Sequence, residues 1–311
     1  MIERSHIIAA HHRIAGHVRR TPVLSLSPGT FDGLPGAVSF KLESCQVTGS
    51  FKPRGVFSRV LSEPTLPPSG LVAASGGNHA LAVAFAARAL GLRCEVFLPS
   101  IAPAMKRERL HGLGAEVTVV GNVFAEALAA ADARARQTGA LSVHPFDHPA
   151  VVAGQGTLAA EWEDQQPDLD TVLVAVGGGG LVGGIAAWYA GRVRIVAVEP
   201  EGSPSLARAR ANGAPLDIET GGLAADSLGC RRVGELGFCL AQQYVAESLV
   251  VSDAAIRRAQ AWLWEEIRIV AEPGGAVALA ALLDGSYVAA AGEKVGVLLC
   301  GGNTDPATLL A

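Results

Sequence analysis

LVAASGGNHALAVAFAARALGLRCEVFLPS, residues 71–100, sets the architecture. Leu71–Ala74 is a short apolar run of strand length. A small-residue turn follows, and Ala80–Leu90 then has helical length and composition. Cys94–Leu98 is apolar and strand-sized again. The alternation continues with a helix over Ala104–Leu113, a strand over Val117–Val120 and a helix over Phe124–Gln137. Further along, Val172–Val176 and Ile195–Val198 read as strands separated by a helix that starts near Leu181, and Val295–Cys300 reads as a last buried strand. Strands alternating with helices of this length imply an α/β fold of two open, twisted, mostly parallel sheets with helices on both faces. Three strand-helix units between 51 and 138 form one compact set. The expected organisation is a small domain, 51–138, inserted into a large one made of 1–50 plus 139–311. A cleft at the carboxyl ends of the strands would take the ligand.

Composition narrows the partners. The 311 residues are half apolar, enough for two sizeable cores, and the net charge of −4 is spread without a basic run. Nucleic-acid and anionic-membrane surfaces are disfavoured, leaving a small molecule or a second copy of the chain. Met1–Arg20 carries early charges and three of the histidines His6, His11, His12 and His17 within its first dozen positions, unlike a signal peptide. The apolar stretch Ala276–Ala291 is interrupted by Asp284 and Gly285 and is short for a membrane span. A cytoplasmic protein is expected. The five cysteines, Cys45, Cys94, Cys230, Cys239 and Cys300, are scattered without a CxxC pair, so neither a disulfide framework nor a zinc site is expected. The N-terminal histidines, and His111, His144 and His148, lack a metal-ligand context. Trp262 and Trp264 read as packing residues of an amphipathic helix.

Four loops carry the chemistry. In Gly49-Ser50-Phe51-Lys52-Pro53-Arg54-Gly55, Lys52 opens a helix; alone it reads as a solvated charge, and functionally as a desolvated amine able to form a Schiff base. Ser75-Gly76-Gly77-Asn78-His79 lies between a strand and a helix, where free N–H groups suit a carboxylate or phosphate, although a capped tight turn reads the same way. Gly177-Gly178-Gly179-Gly180-Leu181 follows a buried strand. Four consecutive glycines cost conformational entropy, and a phosphate wrapped by backbone N–H groups accounts for them. The pattern is neither GxGxxG with a ribose-binding acid nor a P-loop, so a nucleoside triphosphate is disfavoured. Cys300-Gly301-Gly302-Asn303 closes the set and says little alone.

In this order and spacing, together with Gly154-Gln155-Gly156-Thr157, Ala225-Asp226-Ser227-Leu228-Gly229 and Glu272-Pro273-Gly274-Gly275-Ala276, the chain resembles the serine/threonine dehydratase family of pyridoxal-phosphate enzymes, fold type II, over nearly its whole length. The resemblance implies pyridoxal 5'-phosphate as cofactor. Lys52 would condense with its aldehyde and later remove the Cα proton. Phe51 would cover one ring face, and Asn78 would bond the ring hydroxyl. Gly177, Gly178, Gly179, Gly180 and Leu181 would surround the phosphate. Ser75, Gly76, Gly77 and His79, with Asn78, would take the substrate carboxylate. Glu272 would sit near the ring and the leaving hydroxyl, and Cys300 would meet the pyridine nitrogen. A thiol there is a neutral partner that does not force ring protonation, which favours rapid loss of a β-substituent over a long-lived carbanion. By the same analogy the cofactor phosphate would protonate the departing hydroxide.

The implied activity is α,β-elimination from L-threonine or L-serine to a 2-oxo acid and ammonia. The alternative keeps that chemistry on threo-3-hydroxyaspartate, a phenylserine or another specialised hydroxy-amino acid. A β-replacement synthase and a non-catalytic cofactor-binding protein rank lower, the second because Lys52 and the glycine loop are intact. Serine racemases carry a serine where this chain has Gly76, so racemisation as main role is disfavoured. The family's biosynthetic threonine deaminases continue into an isoleucine-sensing domain; with the chain ending at Ala311, no such inhibition is expected. Some relatives bind a divalent or monovalent cation near Ala224–Asp226. Asp226 with Glu219 reads more simply as a solvated turn, with Asp226 the one metal-ligand candidate. A homodimer is expected by analogy.

Overall fold

The computed structural model describes residues 2–29, 34, 36–100, 104–122 and 124–309. The elements run α1 (Arg4–Ile14), β1 (Val23–Leu26), β2 (Ala37–Leu42), α2 (Lys52–Val60), β3 (Leu71–Ala74), α3 (Asn78–Ala89), β4 (Cys94–Leu98), α4 (Ala104–Gly112), β5 (Glu116–Val119), α5 (Phe124–Thr138) and β6 (Leu141–Ser142). They continue with α6 (Pro149–Gln165), β7 (Thr171–Ala175), α7 (Gly180–Tyr189), β8 (Arg194–Pro200), α8 (Ser205–Asn212), α9 (Ala225–Leu228), α10 (Glu235–Tyr244), β9 (Val245–Val251), α11 (Asp253–Ile267), α12 (Pro273–Leu283) and β10 (Lys294–Leu299).

Two sheets result. One has the order β1-β2-β10-β7-β8-β9 and the other β5-β4-β3-β6. The pairings are parallel except for the antiparallel β1–β2 edge. The α/β class with two mostly parallel sheets is as the alternation predicts. The four-stranded sheet runs to Ser142, so the boundary expected at 138 falls before its last strand.

Two-sided burial explains the apolar strands. In β3, Leu71 and Ala73 enter one core and Val72 and Ala74 the other, because successive side chains point to opposite faces. The larger core surrounds the six-stranded sheet, and the middle of α12 lies inside it: Ala276 to Ala281 are fully buried. At about 25 cal/mol per Å2 of apolar surface removed from water, such a helix is held by burial rather than by propensity. No described helix is long and apolar enough to cross a membrane.

The parallel arrangement points several carboxyl ends of strands at one place. The turn after β3, the glycine run after β7 and the Cys300–Asn303 loop after β10 meet there, and the start of α2 joins them through a bridge between Ser50 and Gly301.

Candidate active site

Lys52 is the first residue of α2, with Pro53 behind it supplying the fixed φ that suits a helix start. Its Nζ donates to the Pro145 carbonyl at 3.0 Å and lies 5.1 Å from the centre of the Phe51 ring. Burial lowers its pKa to about 8, against the opposing pull of Cys230, Cys300 and Glu272. About a tenth of this amine is therefore unprotonated at pH 7, far more than for a solvated lysine, and that is the state a nucleophile or base requires.

A buried ionic cage fixes that helix start. Two residues after Lys52, Arg54 donates from Nε and Nη2 to both Glu43 oxygens, at 2.9 and 2.8 Å, and from Nη2 to Glu161 Oε2 at 3.0 Å. Lys41 Nζ reaches Glu161 Oε1 and Gln165 Oε1, each at 2.6 Å, and the Thr21 carbonyl at 2.8 Å. Lys41, Glu43, Arg54 and Glu161 are 0, 0, 1 and 4 % exposed, so two cations and two anions balance out of water. Burial alone would lower the Arg54 pKa; Glu43 and Glu161 outweigh it and hold the guanidinium charged.

The glycine run needs its glycines. Gly179 sits at φ +86°, in the left-handed region. A Cβ on Gly178 would lie 2.3 Å from the Phe146 ring, and one on Gly180 would lie 2.6 Å from the Phe146 carbonyl oxygen. The loop is thus pressed against the 145–147 segment with its backbone facing the cleft. Gly180 starts α7, whose first amides have no partner within the helix, and among the described residues no protein acceptor takes the N–H groups of Gly178, Gly179, Gly180 or Leu181. Open amides at a helix N-terminus attract an anion. At the turn after β3, Gly77 precedes α3 and its N donates to Ser75 Oγ at 3.2 Å, while the Gly76, Asn78 and His79 amides have no protein acceptor among the described residues. His79 is buried and neutral; burial, then the nearby Lys52 charge, lowers its pKa to about 3, and its Nε2 bonds the Val143 carbonyl at 2.7 Å.

Glu272 precedes α12, accepts from Asn78 Nδ2 at 2.6 Å and has its pKa raised by burial to about 7. Asn78 Oδ1 in turn accepts from Asn303 Nδ2 at 2.6 Å. Cys300 is buried, its Sγ 3.5 Å from the Gly274 carbonyl, and burial raises its pKa so that it stays a thiol.

One cleft, about 530 Å3 of open space, is lined by Phe51, Lys52, Asn78, the run Gly177–Leu181, Glu272 and Cys300. Gly76 and Gly77 line an adjoining hollow with Asp226. Ser75 and His79 line neither. Among the described residues no three His, Cys, Asp or Glu side chains cluster as a metal site. Sequence reasoning gave no site role to Pro145, Phe146, Cys230 or Arg109, and quoted Ser227 only within a family-like segment. Pro145 acts through its carbonyl, which no side-chain pattern reports, and the others approach from distant segments.

The family model for pyridoxal-phosphate dependent enzymes matches residues 14–301. The chain belongs to the pyridoxal-phosphate dependent enzymes. An L-threonine ammonia-lyase of Thermotoga maritima is 37% identical to this enzyme over 98% of its chain and 76% of the relative. A phenylserine dehydratase of Ralstonia pickettii is 36% identical over 98% and 94%. The structure of maize serine racemase superposes with a TM-score of 0.91 at 33% identity, covering 99% of this chain and 96% of that one. The cleft fits the cofactor: it offers a lysine amine for an aldehyde, unfilled amides for a phosphate, and a buried Gln155 Oε1 that lacks a protein partner.

Two results are expected. Gly180→Ala forces Phe146 or the loop to move, and the affinity of the cofactor-free enzyme for pyridoxal phosphate falls about tenfold or more; Gly112→Ala, where a Cβ meets nothing within 4 Å, leaves it unchanged. Spectroscopic titration checks both. For Glu272 the folded pKa, about 7, lies above the 4.5 of a solvated glutamate. Its contribution to stability is complete below that lower value and is lost as pH rises through about 7. Urea unfolding of cofactor-free protein should show this decline relative to Glu272→Gln; parallel pH profiles would refute it.

Proposed function

We propose that the enzyme catalyses α,β-elimination of a β-hydroxy-amino acid, L-threonine or L-serine foremost, to a 2-oxo acid and ammonia. The supporting observation is the pairing of a desolvated Lys52 amine with a glycine-walled cleft opening beside the Gly76, Asn78 and His79 amides at the start of α3, which have no protein acceptor among the described residues. When bound, the cofactor supplies an aldehyde that captures amino groups and a ring that withdraws electrons from Cα. Lys52 would hold the aldehyde carbon, and Phe51 and Cys300 would flank the ring. Asn78 would orient it, and Gly177–Leu181 would hold the phosphate. The substrate carboxylate would lie on the amides of Gly76 to His79, which sets the Cα–H bond toward Lys52 Nζ. Displaced from the aldehyde carbon by the substrate's amino group, the Lys52 amine would take that proton, and the Cβ–O bond would break with its electron pair on oxygen. Net of the proton taken from Cα, the hydroxide would leave as one water. The enamine released becomes an imine, and one water converts it to the 2-oxo acid and ammonia.

Racemisation is the second reading, raised by the likeness to maize serine racemase. Gly76 opposes it, because it has no side chain to protonate the opposite face of Cα. A cytoplasmic homodimer goes with the reading; the five cysteines are free thiols, as a reducing compartment allows. The test is a panel of L-serine, L-threonine, L-phenylserine and 3-hydroxyaspartate, assayed for 2-oxo acid, ammonia and D-serine. Equal amounts of oxo acid and ammonia from at least one substrate are expected. D-serine formed as fast as ammonia, or no oxo acid from any, would defeat the proposal.

A further inference from the structure

One helix, α6, packs against both helices that carry anchors for the cofactor. Toward α2, a Cβ on Gly154 would lie 2.5 Å from the Arg54 carbonyl oxygen and 2.8 Å from Gly55 Cα. Toward α7, a Cβ on Gly156 would lie 2.8 Å from the Gly184 carbonyl oxygen. Backbone thus lies against backbone on both sides, an approach that only glycine permits. The first turn of α2, which begins at Lys52, and the start of α7, which begins at Gly180, are held on this one support.

Gln155 stands between those two glycines and lines the cleft with Lys52 and the run Gly177–Leu181. It is 1 % exposed. Its Nε2 lies 2.3 Å from where a Cβ of Gly55 would stand, so the amide rests on the first turn of α2. Its Oε1 has no hydrogen-bond partner among the described residues. Other polar side chains of the cleft do have one: Asn78 donates to Glu272, and Lys52 donates to the Pro145 carbonyl. A buried amide left unpaired is costly, and the cleft it faces is where a partner would come from.

Placed as proposed above, the cofactor would meet Lys52 with its aldehyde, Asn78 with its ring oxygen and Cys300 with its ring nitrogen. The phosphate is the polar group left over. It can also serve either end of an amide, since its charged oxygens accept from Nε2 and a proton-bearing oxygen donates to Oε1.

We propose that Gln155 is a further cofactor-holding residue, its side-chain amide bonding the phosphate from the α6 side and completing a cradle that is otherwise backbone. This rests on the cofactor placement of the elimination reading and is independent of which hydroxy-amino acid is eliminated.

The test frees wild type, Gln155→Met and Gln155→Leu of cofactor and titrates each with pyridoxal 5'-phosphate and with pyridoxal, which keeps the ring and aldehyde but lacks the phosphate. Absorption of the bound aldehyde reports both affinities. Methionine is close to glutamine in length and volume and cannot supply the bond. The affinity for pyridoxal phosphate should fall about 10- to 100-fold in both variants, as the loss of one bond to a charged group requires, while pyridoxal binds as it does to wild type. Equal losses for the two ligands would show that Gln155 shapes the cleft as a whole and would overturn the proposal. No loss for either would overturn it too. A failure of elimination would appear separately, as a wild-type enzyme that binds the phosphate ester tightly and releases no 2-oxo acid.

Discussion

Lys52→Ala should reduce 2-oxo acid release by roughly 10,000-fold or more and abolish the visible band of the holoenzyme. Two functions fall together, since one amine both tethers the cofactor and moves the Cα proton. Its setting supports both: burial holds it near pKa 8, and the Pro145 carbonyl orients it without neutralising it by a full charge. Added methylamine should restore part of the turnover if the glycine cleft still binds cofactor, because the lost group is a simple amine. Rates and absorption of the variant, with and without amine, make the check. Unchanged oxo-acid output would place the proton transfer elsewhere.

Arg54→Leu should cost about 3–5 kcal/mol of stability, the largest structural effect expected of any single change here, because it leaves Glu43 and Glu161 buried against each other's charge with only Lys41 to offset them. Urea unfolding of the holoenzyme reads this directly. Since Arg54 lies two residues beyond Lys52 on the same first turns of α2, cofactor content should drop as well. Arg54→Lys should recover part of the loss, as one ammonium replaces a fork that reaches both acids at once. A loss below about 1 kcal/mol would show the cage to be dispensable.

Which parts of this were legible in sequence follows from burial. Strands β3, β4, β7, β8 and β10 are almost wholly buried, so their composition alone announces them. β2 hides Lys41, a charge that sequence reasoning places at the surface, and β1 and β9 are half-exposed edges; none of the three stood out. The glycine run and Lys52 were legible because their residue types are costly without a ligand. The ionic cage was not, since Lys41, Glu43, Arg54 and Glu161 come from four elements and gain meaning only when the fold brings them into contact.

The most direct measurement is borohydride reduction of the holoenzyme followed by peptide mass mapping. The expected result is one cofactor mass per chain, carried by the peptide that contains Phe51-Lys52-Pro53. Cofactor fixed on another lysine such as Lys41 or Lys294, or none fixed at all, would contradict the assignment of Lys52 and with it the chemistry built on that residue.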